Sequence, residues 1–386
     1  MLSKKLFLSS VAFFVLVSLS FVGSVGASSV MWSQTYESGR HQTAYSLVET
    51  SDGGYAIAGS SGFQPSEDFC LVKTDEMGFM QWLKTFGGNA TEIAYSVVET
   101  SDGGYVLAGG TASFGAGSDD FWLVKTDANG IMQWNRTYGG PDSETAYSLV
   151  KTFDGGYALS GDGLLVKTDV YGNMEWNQTY GGGSYYTSNS LVETSDGGYV
   201  VVGGSRLIKF DSQGSLEWNQ TSFMDTACSL VETSDGGYTI SGYGRLVKID
   251  VYGDMEWNQT YDGQARSLIA TSDGGYAFVI SSRRLIKTDA QGIIEWNQIY
   301  EIEEFGHRGP FSVIETSDGG YALAGILTSF FSGKTVFWVV KTDAQGIIPE
   351  FPSWIILPLF LTATLAIIIC KQRLTKNTKT NRNHSY

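Results

Sequence analysis

Three observations predict the fold class. One tetrad recurs seven times at a blade-sized period, no segment between the copies shows helical spacing, and a tryptophan strand missing from the last copy stands before the first. Together they predict an all-β fold, a seven-bladed β-propeller closed by its N-terminal strand, followed by one C-terminal transmembrane helix. The tetrad Asp-Gly-Gly-Tyr begins at Asp52, Asp102, Asp154, Asp196, Asp235, Asp273 and Asp318, at spacings of 38 to 52 residues. A second signature, Asp-x-x-Gly, follows each copy, from Asp75/Gly78 to Asp343/Gly346, and in six of the seven a tryptophan comes four residues after the glycine.

Each repeat reads as four short strands, A to D. In the second copy they fall at 94–100, 105–109, 121–126 and 131–138, each rich in Val, Ile, Leu, Tyr or Trp and bounded by Gly and Asp. Ser-Asp-Gly-Gly joins A to B and Thr-Asp-Ala-Asn-Gly joins C to D, because these residues tolerate the positive φ of tight hairpins. The tryptophan of strand D occurs at Trp82, Trp134, Trp176, Trp218, Trp257 and Trp296, whereas after Gly346 the chain runs into Pro349. An orphan copy, Met31-Trp32-Ser33-Gln34-Thr35-Tyr36, precedes the first repeat. Pairing that strand into the last blade uses every strand and leaves no open sheet edge.

The ends carry targeting signals. Residues 1–27 read as a signal peptide: Lys4 and Lys5, an apolar run, then Val25-Gly26-Ala27. Residues 28–348 are the propeller ectodomain and 349–353 a proline-containing stalk. The uncharged run 354–370, extended by Phe351 and Pro352, approaches the ~20 residues that span a bilayer. The tail 371–386 carries Lys371, Arg373, Lys376, Lys379 and Arg382 without an acid, which places it in the cytoplasm. The expected localisation is therefore the cell membrane, single-pass, with the ectodomain outside.

Within 28–348 lie 18 basic and 39 acidic residues, a net charge near −21. Such a surface repels phosphate backbones, so no nucleic-acid partner is expected. Cys70 and Cys228 fall at different repeat positions and do not suggest a disulfide.

The pattern Asp-Gly-Gly-Tyr-Val-Leu-Ala-Gly-Gly … Phe-Trp-Leu-Val-Lys-Thr-Asp-Ala-Asn-Gly-Ile-Met-Gln-Trp resembles repeats in secreted archaeal and bacterial surface proteins regarded as β-propellers, and covers nearly all of the ectodomain. The strand-B Tyr with Gly-Gly and the strand-D Trp also resemble Kelch blades. Asp-x-x-Gly-x-x-x-Trp is similar to the tryptophan-docking motif of quinoprotein propellers, which has one more residue between Asp and Gly. Pro349-Glu350-Phe351-Pro352 before an apolar span and basic tail resembles the PEF-type C-terminal signal of archaeal surface proteins; that resemblance implies a sortase-like processing enzyme as a partner. The alternative is an ordinary anchor on a proline-rich stalk.

Enzyme motifs are mostly absent. Three histidines, none paired at ligand spacing, disfavour a metal centre, and no cofactor is expected. The recurrent Ser101, Asp102 and Asp127 and their equivalents serve turns. Symmetry breaks where the B-to-C and D-to-A connections vary, and both emerge on one face. The B-to-C loops are long at 60–68, 111–120 and 326–336, in repeats 1, 2 and 7, which closure makes neighbours. This sector supplies the candidate ligand-binding residues Arg40, His41, Phe63, Phe114, His307, Arg308, Phe330 and Phe331. The aromatics offer stacking surface and the cations would steer an anionic group there.

The expected function is a non-enzymatic cell-surface binding propeller that presents this loop face to a glycan, peptide or surface protein. The rivals are a glycan lyase or hydrolase with His41 or His307 as base and Arg40 or Arg308 steadying the substrate, and a cell-envelope spacer. Sequons allow N-glycosylation at Asn89, Asn135, Asn177, Asn219 and Asn258; the last four lie on strand D with parity opposite to Trp, hence facing away from the packed side.

Overall fold

The structure is a computed structural model that describes residues 31–63, 66–181, 189–221, 224, 226–300, 305–306, 309–329 and 333–348. These residues belong to one compact unit up to Gly346. Among them the fold is all-β, built from antiparallel sheets in which each strand pairs with the next along the chain.

In the first repeat strands A to D are His41–Glu49, Tyr55–Phe63, Ser66–Thr74 and Met80–Phe86. Strands B and C are buried almost throughout, as the central strands of a sheet covered on both faces must be. The orphan strand Trp32–Tyr36 pairs antiparallel with Thr335–Thr342, Trp32 opposite Lys341 and Tyr36 opposite Phe337, as the offset of the tryptophan strand predicts. Ser317 donates its backbone N–H and its hydroxyl to Glu49, each at 2.8 Å, tying the seventh repeat to the first across 268 residues of chain.

The expected blade count is corrected. The propeller has six sheets rather than seven separate blades: four of four strands, one of five and one of six. The fifth and sixth repeats are fused, because strand D of one and strand A of the other form a single strand, Met255–Ala270. Their connection is only Asp262-Gly263. At φ 113°, a conformation open to glycine, Gly263 turns the chain without interrupting it, and Tyr243 pairs with Gln264 across the junction. The described residues contain no helix, and so none long and apolar enough to cross a membrane. The signal peptide 1–27, the stalk and the apolar run 354–370 with its basic tail lie outside the described residues.

The repeat signature explains how neighbouring repeats adhere. Each strand-D tryptophan meets the Asp-Gly-Gly-Tyr tyrosine of the next repeat, in seven pairs from Trp32–Tyr55 to Trp296–Tyr321 with ring centroids 5.5–6.3 Å apart. In six of the seven joints the same tryptophan lies on the glycine of the next C-to-D turn, Gly253 meeting Gln220 instead. A Cβ placed on Gly130, which has φ 72°, would sit 2.8 Å from the Trp82 ring, so the position requires glycine for both shape and conformation.

Inside each repeat a lysine of strand C, between 2% and 5% exposed, pairs at 2.7–2.9 Å with the aspartate of its own tetrad, as in Lys125–Asp102. Such a charge is tolerated only because its donors are satisfied: Lys125 Nζ also donates to the Thr126 carbonyl at 2.7 Å.

Candidate functional site

The strands that line the axis are the A strands, and their pairing with B is interrupted at one position. The register skips between Ala44 and Ser46, Ala94 and Ser96, Ala227 and Ser229, Ala265 and Ser267, and Pro310 and Ser312. A bulge of this kind leaves one residue unpaired and re-aims its side chain. The serine after it ties the ring together: the Ser46 hydroxyl accepts the Val97 N–H at 3.2 Å, and Ser148, Ser190, Ser229 and Ser267 do the same for the repeat that follows each.

The residue before that serine is Tyr45, Tyr95, Tyr147, Asn189, Cys228, Arg266 and Phe311 in chain order. It is constant in place and variable in chemistry. In repeats 3, 2, 1 and 7 it builds a continuous aromatic arc. Tyr147 and Tyr95 are 5.0 Å apart, Tyr95 and Tyr45 4.7 Å, and Tyr45 and Phe311 5.3 Å, all in tilted contact. The Arg266 guanidinium extends the arc 4.2 Å over the Phe311 ring, well within the reach of a cation–π contact.

Carboxylates lie within electrostatic reach of Tyr95 and Tyr147 in this arc. Burial raises the Tyr95 hydroxyl above its ordinary range, and the neighbouring Tyr45 and Tyr147 with the charges of Asp162 and Glu67 add to it. Burial pushes Tyr147 up to about 12, with Asp162 and Asp119 contributing. Asp162 and Asp68 are held above the usual carboxylate range. Asp162 is raised by burial and by Glu144 and Asp119, against the Thr145 N–H it accepts at 2.8 Å. Asp68 is raised by burial and by Glu92, with Arg40 opposing.

The long hairpins rise beside the same sector. Strands B and C have nine residues each in repeat 1 and nine and eight in repeat 7, against five each in repeats 3, 4 and 6. In repeat 2 the fully buried Glu92 holds the hairpin down, accepting from the Thr111 hydroxyl at 3.0 Å and the Ser113 N–H at 3.1 Å.

Of the residues singled out from the sequence, Arg40, His41 and Phe63 come together in repeat 1. His41 and Phe63 meet edge to face at 6.1 Å, and His41 Nδ1 accepts the Thr335 N–H of the repeat 7 hairpin at 3.4 Å. Arg40 is exposed, but its charge works against Asp68 beside it rather than standing alone. Phe114 sits apart, 5.3 Å from Trp122 in repeat 2. His307, Arg308, Phe330 and Phe331 lie outside the described residues. All five sequon asparagines are exposed. A groove of about 300 Å³ opens elsewhere, lined by Tyr261, Arg284 and Asn297 of the fused sheet.

Sequence reasoning missed the arc. Its signal was present in the residue preceding the constant strand-A serine, whose chemistry changes from repeat to repeat while the serine does not.

The closed ring of antiparallel sheets defines a β-propeller. Solved structures similar to it include the WD40 β-propeller domain of Doa1, at 13% identity and TM-score 0.59, covering 81% of this chain and 98% of that one. Streptogramin B lyase is similar at 13% identity and TM-score 0.60, covering 82% and 100%. Raptor from Chaetomium thermophilum is similar at 9% identity and TM-score 0.58, covering 82% of this chain and 30% of that one. At these identities the likeness is one of fold alone. No protein-family model and no curated protein matches the chain.

Proposed function

We propose that the protein is an exported, membrane-anchored binding propeller that takes a basic segment of a protein partner at the axial mouth of its loop face. The observation that carries this reading is the aromatic arc Tyr147–Tyr95–Tyr45–Phe311 with Asp162, Glu67 and Asp119 within electrostatic reach of its tyrosines. Aromatic faces and carboxylates together suit lysine and arginine side chains, and Arg266 on Phe311 is an internal example of that contact. The tall hairpins of repeats 1 and 7 would wall the segment on one side. Export and anchoring follow from the signal-like 1–27 and the apolar run 354–370; the exposed sequons fit glycosylation of an exported chain.

The test is fluorescence anisotropy with two peptides of equal aromatic content, one bearing Lys and Arg and the other Asp and Glu. The basic peptide should bind, more weakly as salt rises. Asp162→Asn and Tyr45→Ala should each weaken it, while Tyr95→Phe, which keeps the ring, should not. Equal binding of the acidic peptide, or indifference to Asp162→Asn, rejects this reading.

A further inference from the structure

Strand D is the outermost strand of each repeat, so nothing in the sheet covers the residues that open it. The second residue after the glycine of Asp-x-x-Gly is nevertheless apolar in all six repeats whose chain runs on into strand D: Met80, Met132, Met174, Leu216, Met255 and Ile294. Further apolar side chains flank it in the same turns. Phe79 is 61% exposed, Tyr171 66% and Tyr252 75%, with Ile131, Val170, Val251 and Ile293 exposed beside them. The face that carries the A-to-B and C-to-D turns is thus rimmed by apolar groups, whereas exposed large apolar residues on the loop face are few, Phe63, Phe114 and Tyr243 among them. A repeated apolar rim of this extent marks an interaction surface.

The chain also leaves the propeller from that rim. Gly346 belongs to the C-to-D turn of the seventh repeat, where its carbonyl accepts the Tyr300 hydroxyl at 2.8 Å. From there to Trp354, where the uncharged run begins, is eight residues, a reach of at most about 29 Å when fully extended. A run anchored in a membrane therefore tethers the turn face within that reach of the lipid.

The carboxylates of this face are largely engaged within the protein. Asp52 and its counterparts pair with the buried lysines, Glu175 and Glu256 pair with Lys167 and Lys248, and Asp127 Oδ1 accepts the Asn129 and Ile131 N–H groups. Glu76 and Asp254 remain exposed at the rim, which limits the depth to the headgroup layer, because an unpaired carboxylate does not leave water.

We infer that the apolar rim of the turn face rests on the surface of a lipid bilayer, so that the propeller stands with its axial mouth pointing away from the membrane. This rests on the anchoring read for 354–370. It gives the repeated Met, Ile, Phe and Tyr a place to bury apolar surface, and it leaves the loop face open to a partner.

The test uses the full chain in phosphatidylcholine nanodiscs, in a Cys370→Ser background where the remaining Cys70 and Cys228 are buried. A fluorescent probe is placed at Phe79→Cys or Tyr252→Cys on the rim, and at Phe63→Cys or Tyr243→Cys on the loop face. Spin-labelled lipid should quench most of the fluorescence of both rim probes and leave the loop-face probes bright. Rim probes as bright as loop-face probes, on a chain that stays with the nanodisc, overturn the inference while anchoring stands. Rim probes shielded from aqueous iodide yet unquenched by lipid also overturn it, since a second copy or a protein partner then covers the rim. A chain that washes off the nanodisc defeats the anchoring reading, and the inference with it.

Discussion

The two ends of the propeller treat the same chemical group in opposite ways. On the turn face Asp102, Asp154, Asp196, Asp235 and Asp273 are held down to about 2. For Asp102 and Asp235 the largest cause is the hydroxyl of the threonine two residues before, helped by Lys125 and Lys248 against opposing burial. For Asp154, Asp196 and Asp273 burial acts upward most strongly, and the lysine and threonine donors together outweigh it. On the loop face Asp68 and Asp162 are pushed up, because burial and neighbouring acids meet too few donors. A carboxylate that gains on folding is serving the fold. One that loses on folding is maintained for another reason, and a cationic partner supplies one.

The first way to break this comparison is to open the ring at the turn-face joints. Trp32 and Tyr36 are buried, and Tyr36 donates its hydroxyl to the Gly78 carbonyl at 2.8 Å. Loss of one buried aromatic of this size costs about 3–5 kcal/mol. Deleting residues 28–36 removes both and leaves the edge of Thr335–Thr342 unpaired. The melting temperature should fall further than for a substitution of any single aspartate on either face; an unchanged value would mean that the ring does not depend on this strand.

What the sequence made legible follows the same division. The Trp, the tetrad Tyr and the Asp-x-x-Gly glycine recur because each joint between repeats fills one shape, so their packing could be read from repetition alone. The lysine of strand C recurs as faithfully, yet its burial was not legible, since an exposed charge repeats just as readily as a paired one. The site was half legible. Loop length pointed to repeats 7, 1 and 2, but the arc lies within the A strands, where no loop marks it and only the identity of Tyr45, Tyr95, Tyr147 and Phe311 against Asn189, Cys228 and Arg266 does. The fused sheet was missed because Asp262-Gly263 reads as a turn like any other. It is the brevity of the connection, not its composition, that keeps the hydrogen-bond ladder running.

Acid sharpens the comparison with a smaller effect. A carboxylate whose folded pKa lies below its unfolded value of 3.8 stabilises the protein above that value and ceases to as pH falls through the folded one. The five turn-face aspartates therefore place their loss between pH 3.8 and about 2. Their carboxylates are more than half exposed, so solvent screening limits each to about 1 kcal/mol or less. Melting temperature should stay level with respect to these groups from neutral pH to about 5 and then fall across that window. In Asp102→Asn the acid-dependent fall should be smaller, from a lower starting stability; a fall of the same size would remove Asp102 from the account.

The smallest expected effect is on the loop face, and its sign is reversed. Asp68 has a folded pKa raised by burial and by Glu92, so at neutral pH its ionised form opposes folding, and the opposition fades as the group protonates. Asp68→Asn keeps the shape, removes the repulsion from Glu92 and forgoes the attraction of Arg40. The two changes partly cancel, leaving a gain of a few tenths of a kcal/mol, the range usual for partly exposed sites. Chemical denaturation at pH 7 should therefore show the Asp68→Asn protein slightly more stable than the parent, where the turn-face Asp102→Asn is less stable. The same loop-face substitution should slow association of the basic peptide and flatten its salt dependence, since a charge at the margin of a site acts mainly on encounter. A loss of stability at pH 7 would show that Asp68 serves the fold as the turn-face aspartates do. A gain in stability with peptide association unchanged would leave the strain on Asp68 real but unconnected to binding.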